Sequence, residues 1–245
     1  VIRVLKKTSK QELDIYDTFL SFAKLGVPCF YKSIEYDGEL FILMEYLDGN
    51  NLQKCDRKSL TAVLDALIYL QNMYWEKREL EGIGFEASLP GRQKRRKYLN
   101  DTELEQAYEK YLQIYSNIPR TLCHDDLLPF NVICTNEHAV IIDWEYAGIL
   151  PYPTSLARLL AHCEEDESAF FYMRQEDKEY AIEYYFEHLL KEKGIDYCDY
   201  RKTLDYFLLY EYCEWIMLGV EYNNTENERF KKYYAKAKEH IKKLI

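Results

Sequence analysis

The 245-residue sequence lacks the features that assign a chain to several special classes of protein. It has no stretch of 18 uncharged residues, so we expect no membrane-spanning helix, and no signal peptide is visible. It has no surplus of positive charge, because 42 acidic residues stand against 32 basic ones and the formal charge is −10. This balance argues against nucleic acid as a partner and permits a cationic small molecule. With 48% hydrophobic residues, the sequence predicts a globular protein with an ordinary core.

The sequence also lacks a cysteine pattern of the kind that binds zinc or forms disulfide bonds. The number of cysteines is odd, and no two of them have C-x-x-C spacing. We therefore predict buried free thiols in a reducing compartment, which favours a cytoplasmic protein. The seven cysteines are Cys29, Cys55, Cys123, Cys134, Cys163, Cys198 and Cys213.

The first 49 residues have the pattern of a small β-rich unit. The segment VIRVLKK at 1–7 is β-branched and apolar, which predicts a strand. Residues 9–26 predict a helix that Ser9 caps and Gly26 ends, because apolar residues recur there at helical spacing. Two further strands flank Asp37-Gly38, a strong hairpin signal. We place a hinge at DGNN, 48–51, between a lobe of residues 1–49 and a lobe of residues 50–245.

The second lobe is predicted to be mostly helical. Amphipathic patterns occupy 59–75 and 101–117, and helical sequence continues from about 154 onward. The basic run GRQKRRKYL at 91–99 is interpreted as a solvated face, with phosphate contact as the alternative. The fold class is therefore α+β, with a small β-rich N-terminal lobe and a larger helical C-terminal lobe.

The segment CHDDLLPFNVI at 123–133 carries the residues with the clearest chemistry. His124, Asp126 and Asn131 have the H-x-D-x-x-x-x-N spacing of a kinase catalytic loop, and Asp143 follows at the end of an apolar strand. Phosphoryl transfer needs a carboxylate that orients and deprotonates the attacking hydroxyl, which is the role predicted for Asp126. It also needs Mg²⁺, which prefers oxygen ligands and keeps several waters, so Asn131 and Asp143 would suffice as protein ligands.

Other residues of this segment are expected to support the loop. Two apolar strands joined by the turn at 135–138 would hold the metal ligands at a fixed separation. His124 is interpreted as a structural residue that hydrogen-bonds backbone carbonyls. Asp125 is expected at a solvated position, with a part in the chemistry as the alternative.

CHDDLLPFNVI followed by VIIDWEYAG at 140–148 resembles the aminoglycoside phosphotransferase and choline kinase superfamily. Members of that superfamily typically show H-G-D-x-x-x-x-N and then I-D-W/F-E, and Trp144-Glu145 stand where protein kinases have Phe-Gly. The segment FILMEYLDG at 41–49 resembles the strand and hinge that meet the adenine. The resemblance implies a bilobal, protein-kinase-like fold and a small-molecule kinase that uses Mg²⁺ with ATP or GTP.

The same resemblance assigns expected roles at the nucleotide site. Lys6 would grip the α- and β-phosphates, with Lys7 as the alternative. An acidic residue of the following helix would pair with this lysine: Asp14 lies nearest the expected place, with Glu12 and Asp17 as rivals. Backbone groups of the hinge would contact the purine at Met44, Glu45, Tyr46 and Leu47.

Three features depart from the family pattern. No strand pair with a phosphate-covering loop precedes Lys6, so either the first strands of the small lobe are missing from this chain or the nucleotide site is open. Gln71 stands where relatives often have His. Ser155 stands where they commonly have an Asp that braces the catalytic loop. The base and the metal ligands are retained.

The acceptor would bind in the helical lobe. Glu211 and Glu214 lie near Trp215 at helical spacing, and carboxylates beside an aromatic ring can hold an ammonium group. A partly exposed helix with the tryptophan in the core is the simpler interpretation. Glu145 is a further candidate for substrate binding.

We therefore predict an O-phosphotransferase of the aminoglycoside-phosphotransferase type, acting on a small, hydroxylated, amine-bearing molecule. A choline- or ethanolamine-type kinase is one alternative. A non-catalytic kinase-fold protein, of a spore-coat-like kind, is another. A protein kinase is disfavoured by Trp144-Glu145 and by the absence of an A-P-E-like segment. The sequence does not indicate an oligomeric state.

Overall fold

A computed structural model describes residues 2–244 and begins with a small antiparallel sheet. The strands are β1 (Arg3–Thr8), β2 (Phe30–Tyr36) and β3 (Glu39–Glu45), in the order β1-β3-β2. The β2–β3 connection is the predicted hairpin. Asp37 and Gly38 both have positive φ, 53° and 74°, as the favoured two-residue hairpin turn requires.

The helix between β1 and β2 is shorter than the sequence suggests. Helix α1 (Lys10–Ile15) continues through one π-helical turn at Tyr16–Leu20 and ends there, not at Gly26. Ser9 caps its start by accepting a hydrogen bond from the Glu12 N–H at 3.1 Å. Gly26, with φ of 80°, lies in the turn that leads to β2, and its carbonyl accepts from the Ile141 N–H at 2.9 Å.

The rest of the chain is mainly helical, which confirms the predicted α+β class with a small sheet and a larger helical part. The longest helix, α7, packs against α4, α5 and α8. Stacked tyrosines fill this contact: the rings of Tyr111 and Tyr210 lie 4.7 Å apart, and both side chains are buried. The helices are α2 (Arg57–Met73), α3 (Phe85–Arg95), α4 (Thr102–Asn117), α5 (Thr154–Ala161), α6 (Gln175–Tyr185), α7 (Tyr197–Glu221) and α8 (Glu228–Ile241).

Two pairs of short antiparallel strands frame the segment that carries the kinase-like motif. Strand β4 (Arg120–Cys123) pairs with β7 (Gly148–Pro151), and β5 (Val132–Cys134) pairs with β6 (Ala139–Ile141). The β5–β6 hairpin is the pair of strands expected to hold the metal-ligand candidates at a fixed separation, because one candidate precedes β5 and the other follows β6.

The predicted hinge is attached to this hairpin. Asn50 exchanges two backbone hydrogen bonds with Cys134, at 2.7 and 3.0 Å. A Cβ atom at Gly49 would lie 2.4 Å from the Cys134 carbonyl oxygen, so only glycine fits this approach. The division of the chain at residue 49 stays a prediction.

Two expectations about the whole chain concern membrane helices and cysteines. Within residues 2–244, no helix combines the length and the apolar character that crossing a membrane requires. All seven cysteines are free thiols, as predicted, although Cys29 and Cys198 are exposed and not buried.

Candidate active site

Lys6 connects the small sheet to the motif segment. Its Nζ lies 2.6 Å from Glu12 Oε1 and 2.7 Å from Asp143 Oδ1. Burial works to lower the pKa of Lys6, but the hydrogen bonds to Asp143 and Glu12 outweigh it and raise the pKa above its usual value. The lysine is therefore a fixed cation that stands between the first helix and the residue after β6.

The partner of Lys6 is Glu12, so the expectation of Asp14 is wrong. Two residues correspond to a rotation of about 200° around a helix, which puts Asp14 on the side facing away from the sheet. There Asp14 pairs with Lys10 at 2.5 Å and is half exposed. Glu12 is buried, and Thr8 donates a hydrogen bond to its second oxygen at 2.7 Å. No local sequence signal distinguished Glu12 from Asp14 as the partner of Lys6.

His124 joins the catalytic segment to its neighbours and is fully buried. Its Nε2 lies 2.9 Å from the Ile142 carbonyl, and its Nδ1 accepts the Asp126 N–H at 3.2 Å. Burial lowers the pKa of His124, so the neutral ring is the form that makes these bonds. These contacts hold the loop in shape from both sides.

Ser155 and Gln71, the two residues that depart from the family pattern near this loop, both form hydrogen bonds with neighbouring groups. Ser155 Oγ accepts the His124 N–H at 2.8 Å, so a serine braces the loop here. Gln71 is buried, donates to Cys123 Sγ and accepts the Tyr185 hydroxyl at 2.5 Å. Both residues stabilise the backbone around β4.

Asn131 and Asp143 have the donor types that suit Mg²⁺. Asn131 Nδ2 donates to the Asp126 carbonyl at 2.8 Å, and within residues 2–244 its Oδ1 accepts no hydrogen bond. Asp143 gives one oxygen to Lys6 and keeps the other. Asp143 has φ of 65° and ψ of 59°, a left-handed conformation that is uncommon for a residue with a side chain. One carboxylate and one amide oxygen fit an ion that keeps several waters.

Asp126 is bound by an arginine that sequence reasoning missed. Arg158 of α5 donates to Asp126 Oδ1 from Nε at 3.1 Å and from Nη2 at 2.7 Å. Arg158 is the one charged residue in the apolar segment TSLARLLA, and such a residue usually needs a buried partner. The sequence therefore indicated that Arg158 needs a buried partner, but it did not indicate that this partner is Asp126.

Glu211 and Glu214 both form ion pairs with Arg158. Arg158 Nη1 lies 2.8 Å from Glu211 Oε2 and 2.6 Å from Glu214 Oε2. Glu211 is buried and also lies 3.2 Å from His162 Nε2, so its expected role as a substrate ligand is wrong. Burial works to raise the pKa of Glu211, but Arg158 and His162 hold it below its usual value.

Asp125 and the basic run also differ from expectation. Asp125 is not at a solvated position, because Arg92 Nη2 binds its Oδ2 at 2.5 Å. Burial raises the pKa of Asp125 to about 6, although Arg92 works in the opposite direction. Arg92 itself is buried against the rings of Tyr115 and Tyr210. The run at 91–99 is therefore partly internal, and phosphate contact is not what orders Arg92.

A cavity of about 480 Å³ opens beside Asp126. Glu214 and Trp215 line it, and their contact with a substrate stays a prediction. Glu145 is not among its lining residues, whereas Tyr146 is. Helix α3 forms one wall and α7 another. The lining residues are Ser88, Gly91, Arg92, Arg95, Asp125, Asp126, Tyr146, Arg158, Tyr210, Glu214, Trp215 and Leu218.

The predicted purine-binding segment lies at the end of β3. Met44 is buried and Tyr46 is half exposed. The Glu45 N–H is already donated to the Cys29 carbonyl at 3.0 Å. In the described part of the chain, the backbone groups of Tyr46 and Leu47 form no hydrogen bond, so they are free to meet a ligand. Their contact with a purine stays a prediction.

The chain matches the model of the phosphotransferase enzyme family (APH) over residues 4–188. No curated protein sequence matches it.

Several solved structures share the fold. One is a thermostable mutant of aminoglycoside phosphotransferase APH(4)-Ia in a ternary complex with AMP-PNP and hygromycin B, with TM-score 0.57, 15% identity, and coverage of 95% of this chain and 81% of that chain. Another is choline kinase from Cryptosporidium parvum Iowa II, with TM-score 0.58, 20% identity, and coverage of 96% and 79%. A third is a choline/ethanolamine kinase family protein from Mesorhizobium loti, with TM-score 0.58, 16% identity, and coverage of 99% and 86%.

The structural matches confirm the bilobal, kinase-like fold, and the family match confirms the resemblance that the motif segment indicated. The family model covers more than half of the chain and includes every residue from Lys6 to Asp143 that the motif argument used. The chain therefore belongs to the phosphotransferase enzyme family.

Proposed function

We propose that this protein is a nucleotide-dependent O-phosphotransferase that transfers the γ-phosphate of ATP or GTP to a hydroxyl group of a small molecule. One observation carries the proposal: Lys6 Nζ is within 2.7 Å of both Glu12 and Asp143. Kinases need a lysine–glutamate ion pair and a metal-binding aspartate to be in place together before they can transfer a phosphate. This arrangement joins three separate parts of the chain, and it has no obvious purpose in a protein that does not bind a nucleotide.

The proposed step assigns a proton and a phosphoryl group to named residues. The acceptor hydroxyl lies in the cavity beside Asp126, and its oxygen forms a bond to the γ-phosphorus. The bond from that phosphorus to the bridging oxygen breaks, and the nucleoside diphosphate leaves. The hydroxyl proton passes to Asp126. Arg158 holds Oδ1 of Asp126, and Oδ2, which has only a long contact of 3.4 Å with Asn131 Nδ2, would accept the proton.

Asn131 and Asp143 would hold Mg²⁺, which neutralises charge on the phosphate oxygens. Lys6 would contact the same phosphates, and Glu12 would keep the lysine in position. The hinge groups of Met44, Glu45, Tyr46 and Leu47 would meet the purine.

An amine on the acceptor is a finer proposal, and it rests on the similar structures. Three carboxylates, those of Asp125, Asp126 and Glu214, line the cavity, but each already pairs with an arginine, so they do not by themselves favour an amine. The similar structures include one with hygromycin B and a choline kinase, which supports testing aminoglycosides and amino alcohols. The seven free cysteines support a reducing, cytoplasmic location.

A non-catalytic, kinase-fold protein is the second candidate. The observation that favours it is the ion pair of Asp126 with Arg158, because one oxygen of the carboxylate is already occupied by two hydrogen bonds.

Phosphate transfer with a variant of the base separates these candidates. We would incubate the protein with Mg·ATP or Mg·GTP and a panel of hydroxylated acceptors, and follow phosphorylated product by ³¹P NMR. Asp126→Asn is expected to abolish transfer and to leave nucleotide affinity within about threefold of wild type. Asp14→Asn, which changes an exposed carboxylate of α1, is the control and should transfer normally. Transfer by Asp126→Asn at the wild-type rate would show that the base is assigned wrongly.

A further inference from the structure

The cavity beside Asp126 contains no carboxylate without a cationic partner. Asp125 accepts from Arg92 at 2.5 Å, whereas Asp126 and Glu214 accept from Arg158 at 2.7 and 2.6 Å. An ammonium group on an acceptor would therefore compete with arginines that are already in hydrogen-bond contact. Because such charge-assisted bonds are strong, the carboxylates are poor sites for a new cation.

The cavity wall also contains hydrogen-bond donors that have no partner. Arg92 is only 5% exposed, yet its Nε and Nη1 have no hydrogen-bond partner within residues 2–244. Trp215 Nε1 has none either. The Arg92 guanidinium lies 5.0 and 4.4 Å from the ring centres of Tyr115 and Tyr210, whose π faces attract its charge. The unpaired N–H groups have almost no accessible surface, so they do not bind a ligand directly but add positive potential to the cavity wall.

Arg95 is the accessible cation of this wall. It lies three residues after Arg92, on the same face of α3, and its side chain is 39% exposed. Its contact with Glu214 is 3.5 Å long, which is at the outer limit of a hydrogen bond. Glu214 is held more closely by Arg158 at 2.6 Å and by the Tyr210 hydroxyl at 3.2 Å. Arg95 therefore keeps most of its donors for a ligand.

We propose that the acceptor carries an anionic group, a carboxylate or a phosphate, in addition to the hydroxyl that is phosphorylated, and that Arg95 binds this group. The planar guanidinium can donate two parallel hydrogen bonds to either group. The acceptor would then lie between Arg95 on α3 and Asp126 on the catalytic loop, with its hydroxyl directed to the base. This inference rests on the proposed phosphotransferase function and adds a substrate class to it.

Four small alcohols with different charged groups test the inference. Glycerol has no charged group, ethanolamine has an amine, glycerate has a carboxylate, and serine has both. We would measure kcat/KM for each with Mg·ATP, and competitive binding for any alcohol that is not phosphorylated. Glycerate and serine are expected to exceed glycerol and ethanolamine by about 10- to 100-fold. Inorganic phosphate should compete with glycerate and not with glycerol.

Variants of the basic run identify the residue responsible. Arg95→Gln is expected to remove the preference for anionic probes, and Arg95→Lys to keep part of it, because lysine retains the charge but not the paired donors. Arg96→Gln is the control. Arg96 is a similarly exposed neighbour that pairs with Glu109 and does not line the cavity.

The outcomes separate this inference from the function on which it rests. A protein that hydrolyses Mg·ATP, loses that activity in Asp143→Ala, and yet prefers ethanolamine to serine contradicts only the inference. The same protein without a response to glycerate, serine or phosphate contradicts it as well. So does an Arg95→Gln variant that keeps the full anionic preference. A folded protein that neither binds nor hydrolyses any nucleotide contradicts the proposed function.

Discussion

Replacement of Arg158 by glutamine is expected to destabilise the protein by about 3–5 kcal/mol at pH 7. The side chain is 12% exposed and donates four hydrogen bonds, at 2.6–3.1 Å, to three carboxylates. Its removal leaves Glu211, which is 2% exposed, with only the imidazole of His162 as a nearby partner. A buried charge without its partner costs more than the ion pair itself contributes, and this asymmetry sets the size of the effect.

Urea unfolding at pH 7 measures this loss, and a second substitution shows its origin. In Arg158→Gln combined with Glu211→Gln, the buried charge is absent, so about half of the lost stability should return. Arg158→Lys keeps a cation and is expected to lose about 1–2 kcal/mol. Arg78→Gln is the control, because Arg78 is half exposed and an exposed ion pair contributes about 0–1 kcal/mol.

The same variants predict a pH dependence. The pKa of Glu211 is held low in the folded protein, so the stability that its ionised form contributes is present at neutral pH and lost as the pH falls below its usual value. The difference between wild type and Arg158→Gln should therefore shrink in acid. An Arg158→Gln variant within about 1 kcal/mol of wild type at pH 7, or an unchanged difference in acid, would refute the reasoning.

Two further predictions concern the start of the chain and the attachment of α4. Glu12→Gln should lower kcat/KM for Mg·ATP at least about tenfold, because Lys6 loses its buried partner, whereas Asp14→Asn should have little effect. Steady-state kinetics with each variant decides this. Asp101→Asn should destabilise the protein by about 2 kcal/mol at pH 7 and by much less near pH 2. Burial works to raise the pKa of Asp101, but hydrogen bonds from neighbours that include Lys238 lower it to about 2, so its contribution disappears in acid. Urea unfolding of the wild type and of Asp101→Asn at both pH values measures whether the stability difference shrinks in acid.

The parts of the structure that follow from local sequence could be predicted. The Asp37-Gly38 hairpin needs only two residues that tolerate positive φ. The spacing of His124, Asp126 and Asn131 fixes the order of groups along one loop, and the apolar β5–β6 hairpin brings Asp143 back to the same region.

The contacts that depend on long-range packing could not be predicted. Asp14 and Glu12 differ by two positions, and only the rotation of α1 against the sheet decides which one meets Lys6. Arg158 lies 32 residues after Asp126 and 53 before Glu211, and no local pattern connects them. Asp125 was expected in solvent because its partner, Arg92, belongs to a run that has the composition of a solvated surface.

Lys6, Asn131 and Asp143 are proposed to form a nucleotide site that depends on Mg²⁺. Isothermal titration of ATP and GTP into the wild type and into Asp143→Ala, each with and without Mg²⁺, is the measurement to make first. We expect the wild type to bind at least one nucleotide, and the affinity to fall at least about tenfold without Mg²⁺ or in Asp143→Ala. A folded wild type that binds neither nucleotide, or an Asp143→Ala variant with unchanged, magnesium-dependent affinity, would show that these residues do not form such a site.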